Sequence, residues 1–217
     1  MPLLILPALF EEMNRTRRLL TLTCAALAQE GVRTWLPDLP GTGDHAEQST
    51  AADVPRWREA VEALAHVAGG GRAVHLLAVR GGALLAEPGA ASLYRLAPQA
   101  SGAKLLRDLW RTRAAAESEA GSGITAAAIE ARSLGGETIV AAGYPITPTL
   151  AAQLRGTTSP ALPIPTRTAA TAPGESVDIV LPGAPVWRQA EPTDMAVLAN
   201  ALAIDVHAWL RVQADPA

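Results

Sequence analysis

Short apolar runs recur along this chain between stretches of helical spacing, and most of them do not alternate polar with apolar. "LLILP" (3–7), "VRTWLP" (32–37), "AVHLLAV" (73–79), "SLYRLAP" (92–98) and "VDIVLP" (177–182) read as strands. A strand with one wet face alternates, whereas a strand covered on both faces does not. The covering helices are legible between the runs. From Met13 to about Gln29, Met13, Leu20, Cys24 and Leu27 share one face, and from Asp53 to about Ala68, Trp57, Val61 and Leu64 do the same. Asp53 is placed to cap the second helix, Pro55 fits its first turn, and the glycines at 69–71 end it. A last helix is expected from about Thr193 to Val212, with Met195, Leu198, Leu202 and Trp209 facing inward. Strands alternating with such helices predict an α/β fold with a mainly parallel sheet.

One region interrupts the alternation. Residues 99–156 carry helical patterns joined by glycines, with "TIVAA" the one strand candidate, and predict a helical cap inserted after a strand end. Residues 157–175 are rich in Pro and Thr and read as a surface excursion with one short strand. With 217 residues, 49% of them hydrophobic and 18% charged, residues 1–217 are expected to form a single domain with a substantial core.

Composition and spacing exclude several functions. A net charge of −3 and the lack of a basic run interleaved with aromatics argue against nucleic acid as a partner. The only lysine, Lys104, sits in "SGAKLL", which is not a phosphate-binding loop. The only cysteine, Cys24, cannot form an internal disulfide, and its place on an apolar stripe predicts a buried, inert thiol in a reducing, cytoplasmic setting. No set of His, Asp or Glu has ligand spacing, so neither metal nor cofactor is expected. The N-terminal "MPLLILPALFEE" reads as a strand and not as an export signal, and no membrane span is expected. Oligomeric state is open at this level.

The stretch "HLLAVRGGALLAE" (75–87) reads as a buried strand, a tight turn and a helix, the shape that presents a nucleophile in G-x-S-x-G elbows. Here the turn is Ala78-Val79-Arg80-Gly81-Gly82, and a guanidinium takes the nucleophile's place. Two readings stand: Arg80 caps a strand end and points to solvent, or it faces the crevice, where it holds a carboxylate or phosphate or pairs with the site's own acids. Those acids are available. Glu11, Glu12 and Asn14 open a helix after the first strand, where helix capping and the helix dipole also account for them. Arg15, Arg17 and Arg18 read as a solvated helix face. "LPDLPGTGDHAE" (36–47) contains G-x-G-x-x-A, but a helix does not follow at once, so it reads as a turn at the crevice edge with Asp38 and Asp44 as polar fixtures. His45 is the only histidine on a loop at that edge. The loop after the last strand, "PGAPVWRQAEP", has none, so a Ser-His-Asp triad is not available.

The strings "LFEEMNRTRRLL", "LPDLPGTGD", "LLAVRGGALLA" and "LPGAPVWRQAEP", in this order, resemble the α/β-hydrolase-fold proteins that accompany exosortase A, the second of the two hydrolase types of that system. The likeness spans nearly the whole chain. That family's pattern has Pro-Pro-Phe-x-Glu-Glu-Met-Asn at the first loop, Asp-Leu-x-Gly-x-Gly-Asp-Ser at the second and Gly-Leu-Arg-x-Gly at the elbow. Glu11, Glu12, Met13, Asn14, Asp38, Gly41, Gly43, Asp44, Arg80 and Gly82 match it. Leu9, His45 and Ala78 depart from it. The resemblance implies an α/β-hydrolase fold, an arginine at the elbow as a family trait, and a bacterial setting near exopolysaccharide synthesis and protein sorting to the envelope.

These readings converge on a hydrolase-like protein that binds an anionic or acylated small molecule, or a glycan. Glu12, Asp44 and Arg80 are its candidate catalytic residues, and Glu11, Asn14, Asp38, His45, Gly81 and Trp187 its candidate ligand contacts. A carboxylate acting as base on water beside Arg80 is one mechanism. A non-catalytic binding or scaffolding module that has lost its triad is the other.

Overall fold

A computed structural model of the chain describes residues 1–174, 176–189 and 195–214. In chain order these form β1 (Pro2–Leu6), α1 (Glu11–Gln29), β2 (Arg33–Trp35), α2 (Val54–Gly69), β3 (His75–Val79), β4 (Ser92–Leu96), α3 (Gly102–Glu119), α4 (Ala126–Leu134), β5 (Ile139–Ala141), β6 (Tyr144–Ile146), α5 (Pro148–Arg155), β7 (Thr166–Ala170), β8 (Ile179–Val180) and α6 (Met195–Ala214). Six strands pair in the order β2-β1-β3-β4-β7-β8, each pair parallel, while β5 and β6 make a separate antiparallel hairpin.

Both-face burial is visible residue by residue. Leu3 and Ile5 of β1, Leu77 and Val79 of β3, and Tyr94 and Leu96 of β4 share one core with α1 and α6. Leu4 and Leu6, Leu76 and Ala78, and Leu93 turn to the opposite core, filled from α2, α3 and α5. Each buried Leu or Val contributes roughly 1.5–3 kcal/mol, as an upper bound because the unfolded chain is itself partly compact. Polar links then fix the layers. Tyr94 Oη donates to Asp205 Oδ2 at 2.6 Å, and Arg167 donates to both Asp205 oxygens at 2.8 Å, tying α6 to β4 and β7. Burial and the neighbouring Asp205 carboxylate push the Tyr94 phenol far up.

The caps follow the sequence. Asp53 accepts from the Arg56 N–H at 3.1 Å, Pro55 sits in the first turn of α2, and Gly70 ends that helix at φ 57°. Gln153 of α5 accepts from the Val54 N–H and donates to Asp53, so the two helices lock end to side.

Several expectations change. No α-helix follows β3: residues 80–85 form a short 3-10 turn, because the chain returns to neighbouring β4 after only a dozen residues. The 157–175 excursion contains β7, a sheet member seated between β4 and β8. "TIVAA" is half of a hairpin whose second strand, β6, the proline at 145 concealed. "VRTWLP" and "VDIVLP" shorten to three and two residues at the two sheet edges. Cys24 is half-buried where full burial was expected, since Thr16, Leu19, Leu20 and Thr23 take the inner face of α1. Burial still raises its thiol pKa, offset in part by Thr34. The expected start of the last helix at Thr193 lies outside the described residues. Against expectation, α6 is long and apolar enough to span a bilayer by length and composition alone. It packs against α1 and the sheet here.

His75 gives the fold a pH signature. It opens β3, 8% exposed, with Nδ1 2.9 Å from Ser92 Oγ. Burial, with the N-terminal ammonium adding to it, lowers its pKa below the ordinary 6.5. The folded state therefore refuses a proton that the unfolded chain accepts below about pH 6.5. This stability is complete above that pH and is lost as pH falls toward the folded value. The urea midpoint should fall between about pH 6.5 and 5 in the wild type and stay flatter in His75→Asn. Equal slopes in the two proteins would refute the assignment.

Candidate functional site

β1, β3 and β4 lie side by side, with Leu6 opposite Ala78 and Val79 opposite Leu96. Their carboxyl ends therefore open together at one edge of the sheet. Just beyond those ends stand three non-glycine residues at positive φ: Phe10 (59°), Arg80 (51°) and Ala97 (44°). Such backbone is disfavoured by about 1–3 kcal/mol per residue and persists only where its surroundings hold it. Gly82 shows how tightly they do, because a Cβ there would lie 2.3 Å from the Leu6 carbonyl oxygen.

Arg80 is the centre of this edge, 7% exposed. Its Nε donates to both carboxylate oxygens of Glu12 at 3.1 and 3.2 Å, and its Nη2 to Glu12 Oε1 at 2.8 Å. Its Nη1 donates to the Ala97 carbonyl at 2.7 Å. The guanidinium carbon lies 5.2 Å from the centre of the Trp187 ring, within cation–π range. Each partner comes from a different strand end: Glu12 from the first turn of α1, Ala97 from the end of β4, and Trp187 from the 186–188 turn after β8. The solvent-facing alternative for Arg80 is thereby set aside.

Around this pair opens a cleft of about 410 Å³. Leu9, Glu11, Glu12 and Arg15 form one wall, α3 supplies Lys104, Leu105, Asp108 and Leu109, and Trp187 and Arg188 close the end. Arg15, expected on a solvated face, instead bonds Glu11 and donates to the Trp187 carbonyl at 3.2 Å. Gln99, 1% exposed, ties α3 to Arg80: its N–H donates to the Arg80 carbonyl at 3.0 Å and its Oε1 accepts from Lys104 Nζ at 3.2 Å. Lys104 also reaches Asp108 at 3.0 Å. Burial alone would raise the Asp108 carboxyl, but the Lys104 bond and charge outweigh it and hold it low. Spacing concealed Gln99, Lys104 and Asp108, although Lys104 as the sole lysine was one available clue.

The other candidates lie elsewhere. Asp44 has a side chain 91% exposed and pairs with Arg17 at 3.3 Å, not with Arg80. Asp38 also binds Arg17, at 3.0 and 3.2 Å, and accepts from the Asp44 N–H. Burial raises its carboxyl, but those bonds and the Arg17 charge leave it lowered overall. Asn14, Arg17 and Asp44 line a second hollow of about 430 Å³ with Tyr144 of the hairpin. Tyr144 also packs edge-on against Phe10, centroids 5.7 Å apart. His45 turns back on its own loop, its Nδ1 accepting from the Glu47 N–H at 3.2 Å. Gly81 is buried outside the cleft lining, where an added Cβ would lie 3.1 Å from the Leu9 side chain. A larger hollow, about 520 Å³, lies at the opposite edge, among residues 73–74 and 88–90 that precede β3 and β4. Open α/β sheets place ligands at the carboxyl edge, which singles out the Arg80 cleft. Among the described residues, no three of His, Cys, Asp and Glu cluster to hold a metal ion.

The architecture has relatives among solved structures. A thermophilic esterase from Thermogutta terrifontis, solved with malate bound, superposes with a TM-score of 0.59 at 16% identity, covering 98% of this chain and 90% of that one. The chain has an α/β-hydrolase fold. An extracellular α/β-hydrolase from a Paenibacillus species, described as sharing structural and functional homology with tobacco salicylic acid binding protein 2, matches with a TM-score of 0.51 at 12% identity over the full length of both. No protein-family model matches the chain, and no curated protein does. Identities this low establish the fold and leave the chemistry to the residues of the cleft.

The Arg80–Glu12 pair should dominate local stability. Removing one partner leaves the other charge nearly buried, so Arg80→Ala and Glu12→Gln should each cost about 3 kcal/mol. The double variant should lose clearly less than the sum. Strict additivity in chemical denaturation would show that the two side chains do not interact.

Proposed function

We propose that this α/β-hydrolase-fold protein holds a small anionic or acylated ligand in the Arg80 cleft and does so without a serine acyl-enzyme. One observation carries the reading: the elbow position after the central strand β3 is filled by a guanidinium whose donors are not exhausted by partners among the described residues. Of five N–H groups, Glu12 and Ala97 engage the one on Nε and one on each Nη. Among the described residues one hydrogen on each Nη has no protein partner, and we assign these to a ligand carboxylate or phosphate. The lining holds five cationic residues (Arg15, Arg80, Lys104, Arg111 and Arg188) against three acids (Glu11, Glu12 and Asp108), in a chain whose net charge is −3. Leu9, Leu105, Leu109 and Trp187 offer an apolar wall to an acyl chain.

Two mechanisms fit such a cleft. As a binding module, the protein uses Arg80 to orient the anion and the apolar wall to read its tail. As a hydrolase, it uses Glu12 as base on water while Arg80 stabilises the developing oxyanion. Both Glu12 oxygens are already engaged by Arg80, which favours binding. The sequence resemblance to the exosortase-associated proteins adds a setting to this proposal: a bacterial cytoplasm beside exopolysaccharide synthesis and envelope sorting.

A fluorophosphonate probe should leave the purified protein unlabelled, and stoichiometric labelling at a serine would overturn the reading of the elbow. In calorimetric titrations, a medium-chain fatty carboxylate should bind, and Arg80→Lys should weaken it at least about tenfold, equivalent to 1.4 kcal/mol, because an ammonium cannot reproduce the fork. Equal affinity in the two proteins would remove Arg80 from the ligand.

A further inference from the structure

Lys104 is the only lysine of the chain, and it lines the Arg80 cleft from the first turn of α3. Its side chain is 46% exposed. A surface ion pair by itself holds such a side chain only weakly. Here a buried amide adds to the hold. Gln99, 1% exposed, accepts from Lys104 Nζ at 3.2 Å, and its Nε2 donates to Asp108 at 3.4 Å. The Gln99 N–H donates to the Arg80 carbonyl at 3.0 Å. One residue therefore sets the ammonium of α3 in a fixed relation to the turn that carries the guanidinium.

Charge is answered unequally at these two cations. Glu12 meets Arg80 with a whole carboxylate. Asp108 is shared, with Lys104 Nζ 3.0 Å from its Oδ2 and Arg111 Nη1 3.4 Å from its Oδ1. Two cations on one carboxylate leave this wall of the cleft with one net positive charge. Lys104 also keeps a donor: of its three ammonium hydrogens, Gln99 and Asp108 engage two among the described residues. Leu105 and Leu109 line the same wall, and Leu9 lines the other.

Resting on the anion site proposed for Arg80, we infer that the ligand is a dicarboxylate whose second carboxylate meets Lys104. A monocarboxylate on Arg80 leaves the charge of the α3 wall unanswered, whereas a second carboxylate brings one negative charge to one positive. A phosphate in its place brings about −1.5 to −2 at neutral pH, more than that wall carries. The leucines face the hydrocarbon chain that joins the two ends. Arg80 holds the near end of the ligand, and Lys104 selects what stands at the far end. Because Gln99 fixes the ammonium beforehand, little side-chain freedom is lost when the ligand enters.

Calorimetric titration should compare straight-chain diacids of about four to ten carbons with the monocarboxylates of equal length. At one length or more, the wild type should bind the diacid at least about tenfold more tightly. Lys104→Gln should bring that ratio close to one, and Lys104→Arg should keep most of it. Arg107→Gln removes the same charge from an exposed position of α3 outside the cleft lining, and should leave the ratio as it is in the wild type. A second readout needs no variant. Reductive methylation with ¹³C-formaldehyde keeps the charge of Lys104 and gives one side-chain amine signal beside that of the N-terminus. The diacid should move that signal further than the monoacid does. Monoacids that bind while no diacid binds more tightly would overturn the dicarboxylate and leave the Arg80 site standing. Absence of binding by both acids overturns the two together. A diacid preference that survives Lys104→Gln, or a methyl signal that the diacid does not move, removes Lys104 from the ligand.

Discussion

A strand buried on both faces accepts a polar side chain in its middle only where a partner meets it, and otherwise at its ends. Every residue of β3 is buried, and the inner residues of its neighbours divide between two cores, while mid-strand Tyr94 of β4 is met by Asp205 of α6. Much of the remaining polar chemistry of the central strands lies at the sheet's edges. His75 and Ser92 satisfy each other at the amino edge. At the carboxyl edge the same pressure gathers Arg80, Glu12 and the Ala97 carbonyl, which come from neighbouring strands and reach one point because those strands are parallel and in register.

The carboxyl edge also concentrates backbone strain. Phe10, Arg80 and Ala97 each leave their strands at positive φ, and the Arg80 pair binds two of those turns together. Glu12 fixes the guanidinium from the α1 side, Ala97 from the β4 side, and the Trp187 ring lies against its carbon. An ion pair in this position is both structural and chemical. It neutralises a charge that the surrounding leucines could not tolerate, and it lines a cleft whose other wall, α3, is tethered to the same turn through Gln99. The α/β-hydrolase fold is thus kept with a guanidinium, held by Glu12 and Ala97, at the turn after β3.

Local patterns carried much of this organisation. The apolar runs located the central strands to within a residue or two, since both-face burial writes itself into composition. The Asp53 cap, the Gly70 stop and the inner face of α6 are likewise encoded by neighbours a turn apart. The turn after Val79 and the need of Arg80 for an acid from a neighbouring strand end were legible, because a charged residue beside buried strand ends has few partners within reach. What failed to show was decided at a distance. "ALLAE" has helical composition, but a short return to β4 leaves room for only a 3-10 turn. The short strand expected in the Pro- and Thr-rich stretch forms as β7, but its place in the main sheet, between β4 and β8, did not show, since it depends on the edge that β4 offers.

The division in the candidate site has the same origin. Fold class, the ends of the central strands and Arg80 as the group at the elbow depend on burial and spacing along the chain, and so can be read from local patterns. Which acid Arg80 holds is settled in three dimensions. α1 turns Glu12 toward β3 and Asn14 away from it, while Asp38 and Asp44, the same chemistry at the next strand end, are drawn off by Arg17. The tertiary structure also decided that Lys104 and Asp108, far along the chain, form the facing wall. Charge and residue type are local properties, whereas a choice between equivalent carboxylates is made by helix rotation and by the register of the strands that carry them.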